Sequence, residues 1–322
     1  MSIIERALQR MKQEAAAAPT PAPAPVAPTQ SEAVDRPSGH RAERRADEPV
    51  HVASVEAIAP MPCRDDRTVR IDPQALRAAG EIPPEQEERR LAEEYRIIKR
   101  PLLKAMAGDD ATALGNIIVV TSALPGEGKT FTAVNLALSL ALERNREVVL
   151  VDGDVAKRDI TRLFGLDEEP GLLDAGGAAG RRLEDVILKS DLPSLYLLPA
   201  GARNAEATEI LGSERMSSLL ASLAAEPRRI VLIDSPPLLL TSEAGVIASF
   251  AGQVVLVVKA SSTPQEAVLR AIAVVPEDQP VSILLNQAES VHGHQYGYYG
   301  GYAYDGTYGR AAAGPAVQDD RG

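Results

Sequence analysis

Ile117-Ile-Val-Val-Thr-Ser-Ala-Leu-Pro-Gly-Glu-Gly-Lys-Thr130 passes from an apolar run through a glycine-bearing loop into the start of a helix. The first six residues read as a buried strand, because β-branched side chains dominate and no charge interrupts them. Glycines in the loop let successive backbone N–H groups turn toward one point and wrap a phosphate. In this pattern the lysine, Lys129, reaches the outer phosphates of a nucleotide, and the hydroxyl after it, Thr130, ligates Mg²⁺. The helix that follows adds its positive N-terminal end. The loop itself is Ala123, Leu124, Pro125, Gly126, Glu127 and Gly128. The usual first glycine is Ala123, so the strict pattern is met only in its second half. A chance strand–turn–helix is the alternative, and the well-formed flanking elements argue against it.

Outward from this segment, apolar runs alternate with helical stretches. Strands are expected at Ile117–Ser122, Val148–Asp152, Leu195–Leu198, Ile230–Asp234, Val254–Lys259 and Val281–Asn286. Helices are expected near Thr130–Arg144, Leu183–Lys189, Ala205–Ala225, Ser242–Phe250 and Pro264–Val275. Such alternation predicts an α/β fold with a doubly wound, mostly parallel sheet. Before it, Glu85–Met106 reads as a charged helix whose carboxylates precede its cations.

Two more strands end in carboxylates. Val148-Val-Leu-Val-Asp-Gly-Asp154 carries Asp152 and Asp154, and Ile230-Val-Leu-Ile-Asp-Ser-Pro-Pro237 carries Asp234. Ligands of open α/β sheets bind beyond the carboxyl ends of the strands, so all three aspartates should face Lys129. A single strand-end aspartate would read as a helix cap. Asp234 after four apolar residues is the arrangement that holds Mg²⁺ directly or through water. Asn286, ending the last expected strand, offers a donor and an acceptor and is expected near a bound adenine ring; a strand-end asparagine in a turn is the bland alternative.

The chain has 322 residues, 45 % of them hydrophobic but only 3 % aromatic, so its core is built from Ala, Val, Leu and Ile. A formal charge of −11 gives no global basic field for nucleic acid or anionic lipid. The lone cysteine, Cys63, cannot close an intrachain disulfide, which fits a cytosolic home. No apolar run is long enough to span a membrane, and no secretory leader is expected. Three regions are expected: residues 1–68, a short helix and a disordered Ala/Pro-rich linker; residues 69–290, the α/β domain; and residues 291–322, a flexible tail. In the first helix Ile4, Ala7, Leu8 and Met11 share one face, as a frayed terminus or as a docking peptide.

The loop, the Asp-x-Asp strand end and the Asp-x-Pro-Pro strand end together resemble the bacterial tyrosine kinases, whose three motifs are Walker A, Walker A′ and Walker B. Arg90-Leu-Ala-Glu-Glu-Tyr-Arg-Ile-Ile-Lys-Arg-Pro-Leu-Leu103 and Val151-Asp-Gly-Asp-Val-Ala-Lys157 resemble the cytoplasmic autokinases of exopolysaccharide and exosortase loci. The resemblance implies a P-loop fold of the deviant, partition-ATPase-like type, with ATP and Mg²⁺ as cofactors. It implies that Lys129, Asp152 and Asp154 are catalytic, with Asp152 as base, and that Thr130, Asp154 and Asp234 hold the metal. It further implies a ring-like homo-oligomer using Glu93, Arg96 and Lys99. A separate membrane-bound activator of the polysaccharide copolymerase kind would recruit the chain to the inner face of the membrane. The family's arginine two residues after the second Walker A′ aspartate is Ala156 here, followed by Lys157 and Arg158.

Six of the eight tyrosines, Tyr296, Tyr298, Tyr299, Tyr302, Tyr304 and Tyr308, lie in one glycine-interleaved stretch. Beside a phosphate loop they read as a phospho-acceptor cluster and not as a merely adhesive low-complexity segment. His292 and His294, without a third ligand, are assigned no metal. Two other functions remain open. One is a partition-type switch ATPase, which would carry a lysine where Leu124 stands; the other is a non-catalytic scaffold of a polysaccharide machine.

Overall fold

The computed structural model describes residues 60–107, 114–178 and 180–288. The N-terminal amphipathic segment, most of the linker, His292, His294 and the six tail tyrosines lie outside the described residues. The elements run β1 (Arg64–Val69), α1 (Pro73–Ala78), α2 (Glu88–Ala107), β2 (Ile117–Ser122), α3 (Lys129–Ala141), β3 (Glu147–Asp152), α4 (Asp159–Leu163), α5 (Leu172–Gly176) and α6 (Leu183–Val186). They continue with β4 (Leu188–Ser190), β5 (Leu195–Leu198), α7 (Ala207–Leu211), α8 (Glu214–Ala224), β6 (Arg229–Asp234), α9 (Ser242–Ser249), β7 (Gln253–Lys259), α10 (Gln265–Ile272) and β8 (Val281–Asn286).

The eight strands form one sheet in the order β1-β4-β5-β3-β6-β2-β7-β8. Every pairing is parallel except β4 with β5. Along β2, β3, β6 and β7 alternate residues point to opposite faces, and both faces are buried, so the strands are apolar between their polar ends. Ile117, Val119, Val149, Val151 and Ile233 pack under α5, α8 and α9. Ile118, Val120, Val148, Leu150 and Leu232 pack under α1, α2 and α3. Helices therefore cover both faces, as a doubly wound sheet requires.

The register fixes the site. Val120 of β2 and Asp152 of β3 both stand opposite Asp234 of β6, so the two aspartates and the start of the phosphate loop share one level at the carboxyl edge.

Several expectations need correction. The ordered domain begins before residue 69, since β1 joins the sheet and Met61 is buried in the core. The helix expected over Leu183–Lys189 stops at Val186, because Leu188–Ser190 enters the sheet as β4. The helix expected over Ala205–Ala225 is two, broken at Gly212-Ser213, where the Ser213 hydroxyl accepts from the Met216 amide and starts α8 afresh.

Candidate phosphate-binding crevice

The loop between β2 and α3 is shaped by its sequence. Gly128 has φ 90°, and a Cβ there would lie 2.0 Å from Asn286 Nδ2, so only glycine fits. Ala123 is fully buried and is not among the left-handed residues, so a methyl group is tolerated where the common pattern has glycine. The loop is also held from outside itself. The Glu127 carboxylate accepts from the Leu124 amide (2.7 Å) and from the Thr263 hydroxyl beyond β7. Asn286 Nδ2 donates to the Glu127 carbonyl (2.9 Å), and Gln287 Nε2 donates to the Gly126 carbonyl (3.3 Å). Neither the reach of Glu127 to Thr263 nor the part played by Gln287 is visible in a local pattern, because the partners are more than a hundred residues apart.

Lys129 is only 7 % exposed, and its Nζ lies 3.2 Å from Asp154 Oδ2. Burial works against its ammonium form, but Asp234 and Asp154 outweigh that and raise its pKa. The Thr130 hydroxyl donates to Asp234 Oδ2 at 2.8 Å. Asp152 Oδ2 accepts from the Thr161 amide (2.7 Å) and hydroxyl (2.6 Å), a positioning contact that no motif announced. Gly153, between Asp152 and Asp154, donates to the Asp234 carbonyl (2.8 Å). A Cβ on Gly153 would come within 2.7 Å of Ile233, so this glycine lets β3 and β6 close together.

Burial dominates the electrostatics. It raises Asp234 to about 8 against the pull of Lys129 and Thr130, with Asp152 and Asp154 adding to the rise. It raises Asp152 to about 6 despite the two Thr161 hydrogen bonds. Glu81, in the loop after α1, is also raised, first by burial and then by Asp159.

Three carboxylate oxygens here, Asp152 Oδ1, Asp154 Oδ2 and Asp234 Oδ1, are buried without a hydrogen-bond partner; the Asp154 oxygen sits at ion-pair distance from Lys129 but outside hydrogen-bond geometry. Among the described residues no three acidic or imidazole side chains converge as a complete metal cage. Orphaned aspartate oxygens beside a threonine hydroxyl fit Mg²⁺, which takes one or two carboxylates and completes its shell with phosphate and water.

The expected assembly residues divide. Glu93 and Arg96 pair with each other at 2.8 Å on the exposed face of α2. Lys99 is buried, donating to the Ser139 carbonyl (2.7 Å) and pairing with Glu143 (2.6 Å), so it is spent within the chain and is corrected out of the contact set. Arg158, near the family's missing arginine, donates to the Asp167 carbonyl at 2.8 Å.

A family model described as an AAA domain matches residues 115–277, just over half of the chain, which includes the phosphate loop, Asp152, Asp154 and Asp234. The chain belongs to the AAA domain family. Its relatives there carry the names of bacterial tyrosine-protein kinases. The chain is 36 % identical over 144 residues, 45 % of its length, to a protein of Ralstonia nicotianae named as the tyrosine-protein kinase EpsB, of which it covers 19 %. The chain is 29 % identical to the tyrosine-protein kinase YwqD of Bacillus subtilis over 185 residues, 57 % of this chain and 77 % of YwqD. Among solved structures, the BceF tyrosine kinase domain superposes with a TM-score of 0.53 at 28 % identity, covering 65 % of this chain and 85 % of that one. The chain spans about a fifth of the length of the first curated relatives it matches. No helix among the described residues is long and apolar enough to cross a membrane.

Proposed function

We propose that this AAA domain is the catalytic core of an ATP-dependent protein-tyrosine kinase that modifies the tyrosines of its own C-terminal tail. The observation that carries the reading is the set of orphaned aspartate oxygens at the level of Lys129 and Thr130. Buried carboxylate oxygens that lack a hydrogen bond cost stability, so their presence together is what a site completed by a ligand would show.

Lys129 and the loop amides from Gly126 to Thr130 would hold the phosphates, with Asn286 beside the loop on the base side. Thr130, Asp154 and Asp234 would hold Mg²⁺, which when bound supplies positive charge against the phosphate oxygens. Asp152, fixed through Oδ2 by Thr161, has Oδ1 free to take the tyrosine proton. The tyrosine oxygen then bonds to the γ-phosphorus while the bond to the β–γ bridging oxygen breaks, leaving ADP. Catalysis on this scheme is positioning and charge stabilisation.

The acceptors would be Tyr296, Tyr298, Tyr299, Tyr302, Tyr304 and Tyr308. Each phosphotyrosine adds about −1.5 to −2 charges, so a filled tail would carry about −9 to −12 and be repelled from an aspartate-lined crevice. On this reading the unmodified tail enters a neighbour's site in a ring-like homo-oligomer joined partly through Glu93 and Arg96, and modification loosens the ring. A membrane-bound polysaccharide copolymerase partner would activate the kinase at the inner face of the membrane, in the service of exopolysaccharide production.

The test is mass spectrometry of the purified full chain after incubation with Mg-ATP, with Lys129→Met as control. Phosphate on tail tyrosines in the parent alone is expected. ATP turnover without phosphotyrosine would overturn the kinase reading in favour of a switch ATPase.

A further inference from the structure

Along the strand that ends in Asn286, one edge of the sheet is left open among the described residues. β8 pairs only with β7. Proteins blunt such edges with charge, proline or a bulge, and Val281-Ser-Ile-Leu-Leu-Asn286 carries neither charge nor proline and stays in register with β7 throughout. A groove of about 400 Å³ lies between this edge and α2, lined by Ile97, Ile98, Pro101, Ile283 and Leu285, with Glu94 as its one acidic lining residue. Ile97 is 62 % exposed, Ile283 55 % and Leu285 67 %, which makes this a concentrated apolar surface and not scattered single residues.

The geometry points to an occupant supplied by the chain itself: the N-terminal segment Ile3–Met11 docks in cis, as a short helix, in the groove between α2 and β8. Its Ile4, Ala7, Leu8 and Met11 recur at helical spacing on one face, which suits helix-in-groove recognition. Ile3–Lys12 carries Arg6, Arg10 and Lys12 against one acid, Glu5, and the groove's acidic lining residue is Glu94.

Tether length favours the same occupant. The described chain starts at Pro60, just ahead of β1, at the opposite edge of the sheet from β8. Seven strand spacings of about 4.8 Å place β8 about 34 Å away. The 48 residues from Lys12 to Ala59 have a root-mean-square span of about 38 Å on a flexible-coil scale, and the Ala/Pro-rich part lengthens it. An effective concentration is greatest when tether and span match, and it then reaches the millimolar range. A segment with only about millimolar affinity of its own would thus be about half seated, which a second copy at micromolar concentration cannot match. The tether therefore selects the chain's own segment over a neighbour's.

Disulfide trapping in the full-length chain tests this. Cys63 is the only native cysteine, so a Cys63→Ser background carries no competing thiol. Leu8→Cys with Ile283→Cys is the test pair. Leu8→Cys with Leu142→Cys, which is 47 % exposed after α3, is the control for random encounters of a long tether. Mild oxidation is followed by non-reducing electrophoresis and peptide mass spectrometry. An intrachain disulfide in at least about tenfold excess over the control pair is expected, since the Cα atoms must come within about 7 Å. Equal yields for the two pairs, no bridge at all, or a bridge between two chains at twice the mass would each overturn the proposal, the last by giving the groove to a second copy.

Discussion

The two ends of the central strands bury polar groups to the same depth and treat them in opposite ways. At the amino ends, every such side chain is matched. Asn116 donates to the carbonyls of Ala224 (2.9 Å), Glu226 (3.3 Å) and Arg229 (2.7 Å). Gln253 donates to Leu102 and Gly115, and Arg229 pairs with Glu147 at 3.3 Å. At the carboxyl ends, Asp152, Asp154 and Asp234 each keep an oxygen without a hydrogen bond. Groups satisfied by the protein hold the fold together; groups left unsatisfied wait for something that is not protein. One sheet thus has an end built for stability and an end built for a ligand, and substitutions should separate them.

The largest effect belongs to Lys129→Ala. It removes the ammonium facing Asp154 and Asp234, and tail phosphorylation measured by mass spectrometry should fall at least about a thousandfold, in line with losses seen when groups that stabilise transferring phosphate are removed. Undiminished phosphotyrosine would break the comparison at its functional end.

Asp234→Asn should also abolish phosphorylation, yet it should stabilise the metal-free, nucleotide-free protein. The folded chain raises this carboxyl from its ordinary 3.8 to about 8, so between those values the folded form binds more protons than the unfolded form. Stability contributed by this group is therefore greatest at low pH and is lost as pH rises from about 4 to about 8. Thermal unfolding in chelator at pH 6 and pH 8 should show a falling Tm for the parent and a flatter profile for Asp234→Asn. A variant that melts lower than the parent at pH 8 would mean that the carboxylate is satisfied after all.

Asn116→Ala is the mirror experiment. It strands buried carbonyl groups at the amino end and should cost about 3 kcal/mol in denaturant titration, since each unpaired buried group costs about 1–3 kcal/mol. The specific activity of the fraction that stays folded should be unchanged. A smaller contrast lies within α2. Lys99→Ala should cost about 1.5–3 kcal/mol, the range for hydrogen bonds of charged groups, because Ser139 and Glu143 lose their buried partner. Arg96→Ala, fully on the surface, should change stability by less than about 0.5 kcal/mol and lower only the assembled mass seen by light scattering.

Which parts of this were readable beforehand follows from range. Ile117–Ser122, Val148–Asp152 and Ile230–Asp234 announce themselves because strands buried on both faces are unbroken apolar runs. Their terminal aspartates stand out against such runs, and parallel pairing alone brings them level. The three-residue β4 carries no period to detect, and its entry into the sheet depends partly on β1, which is remote in sequence. The break at Gly212-Ser213 was a local signal outweighed by the helical pattern on both sides. The family resemblance puts Lys99 with Glu93 and Arg96, but its burial is decided by α3 packing on α2, which a motif does not contain. Thr161 and Thr263 hold Asp152 and Glu127 through contacts that exist only once the sheet is assembled.

The smallest expected effect tests the one place where the phosphate loop departs from its usual pattern. A glycine is required where the backbone is left-handed or where another chain segment presses on Cα. Gly128 meets both conditions, with φ 90° and Asn286 against it. Ala123 meets neither: it is absent from the left-handed set, and its methyl group is fully buried in the core cluster beside β2. Ala123→Gly would therefore restore the strict pattern without giving the loop any conformation it lacks. Its effect should come through the unfolded chain, which gains freedom, and through the lost methyl contact, for a net cost of about 0.5–1 kcal/mol. Nucleotide affinity by isothermal titration should stay within about twofold, because the loop amides that would meet phosphate already have their geometry from Gly126 to Thr130. If Ala123→Gly instead tightened ATP by tenfold or more, Ala123 would be holding the loop in a poorer shape, and the ligand end of the sheet would be under-built where the amino end is complete.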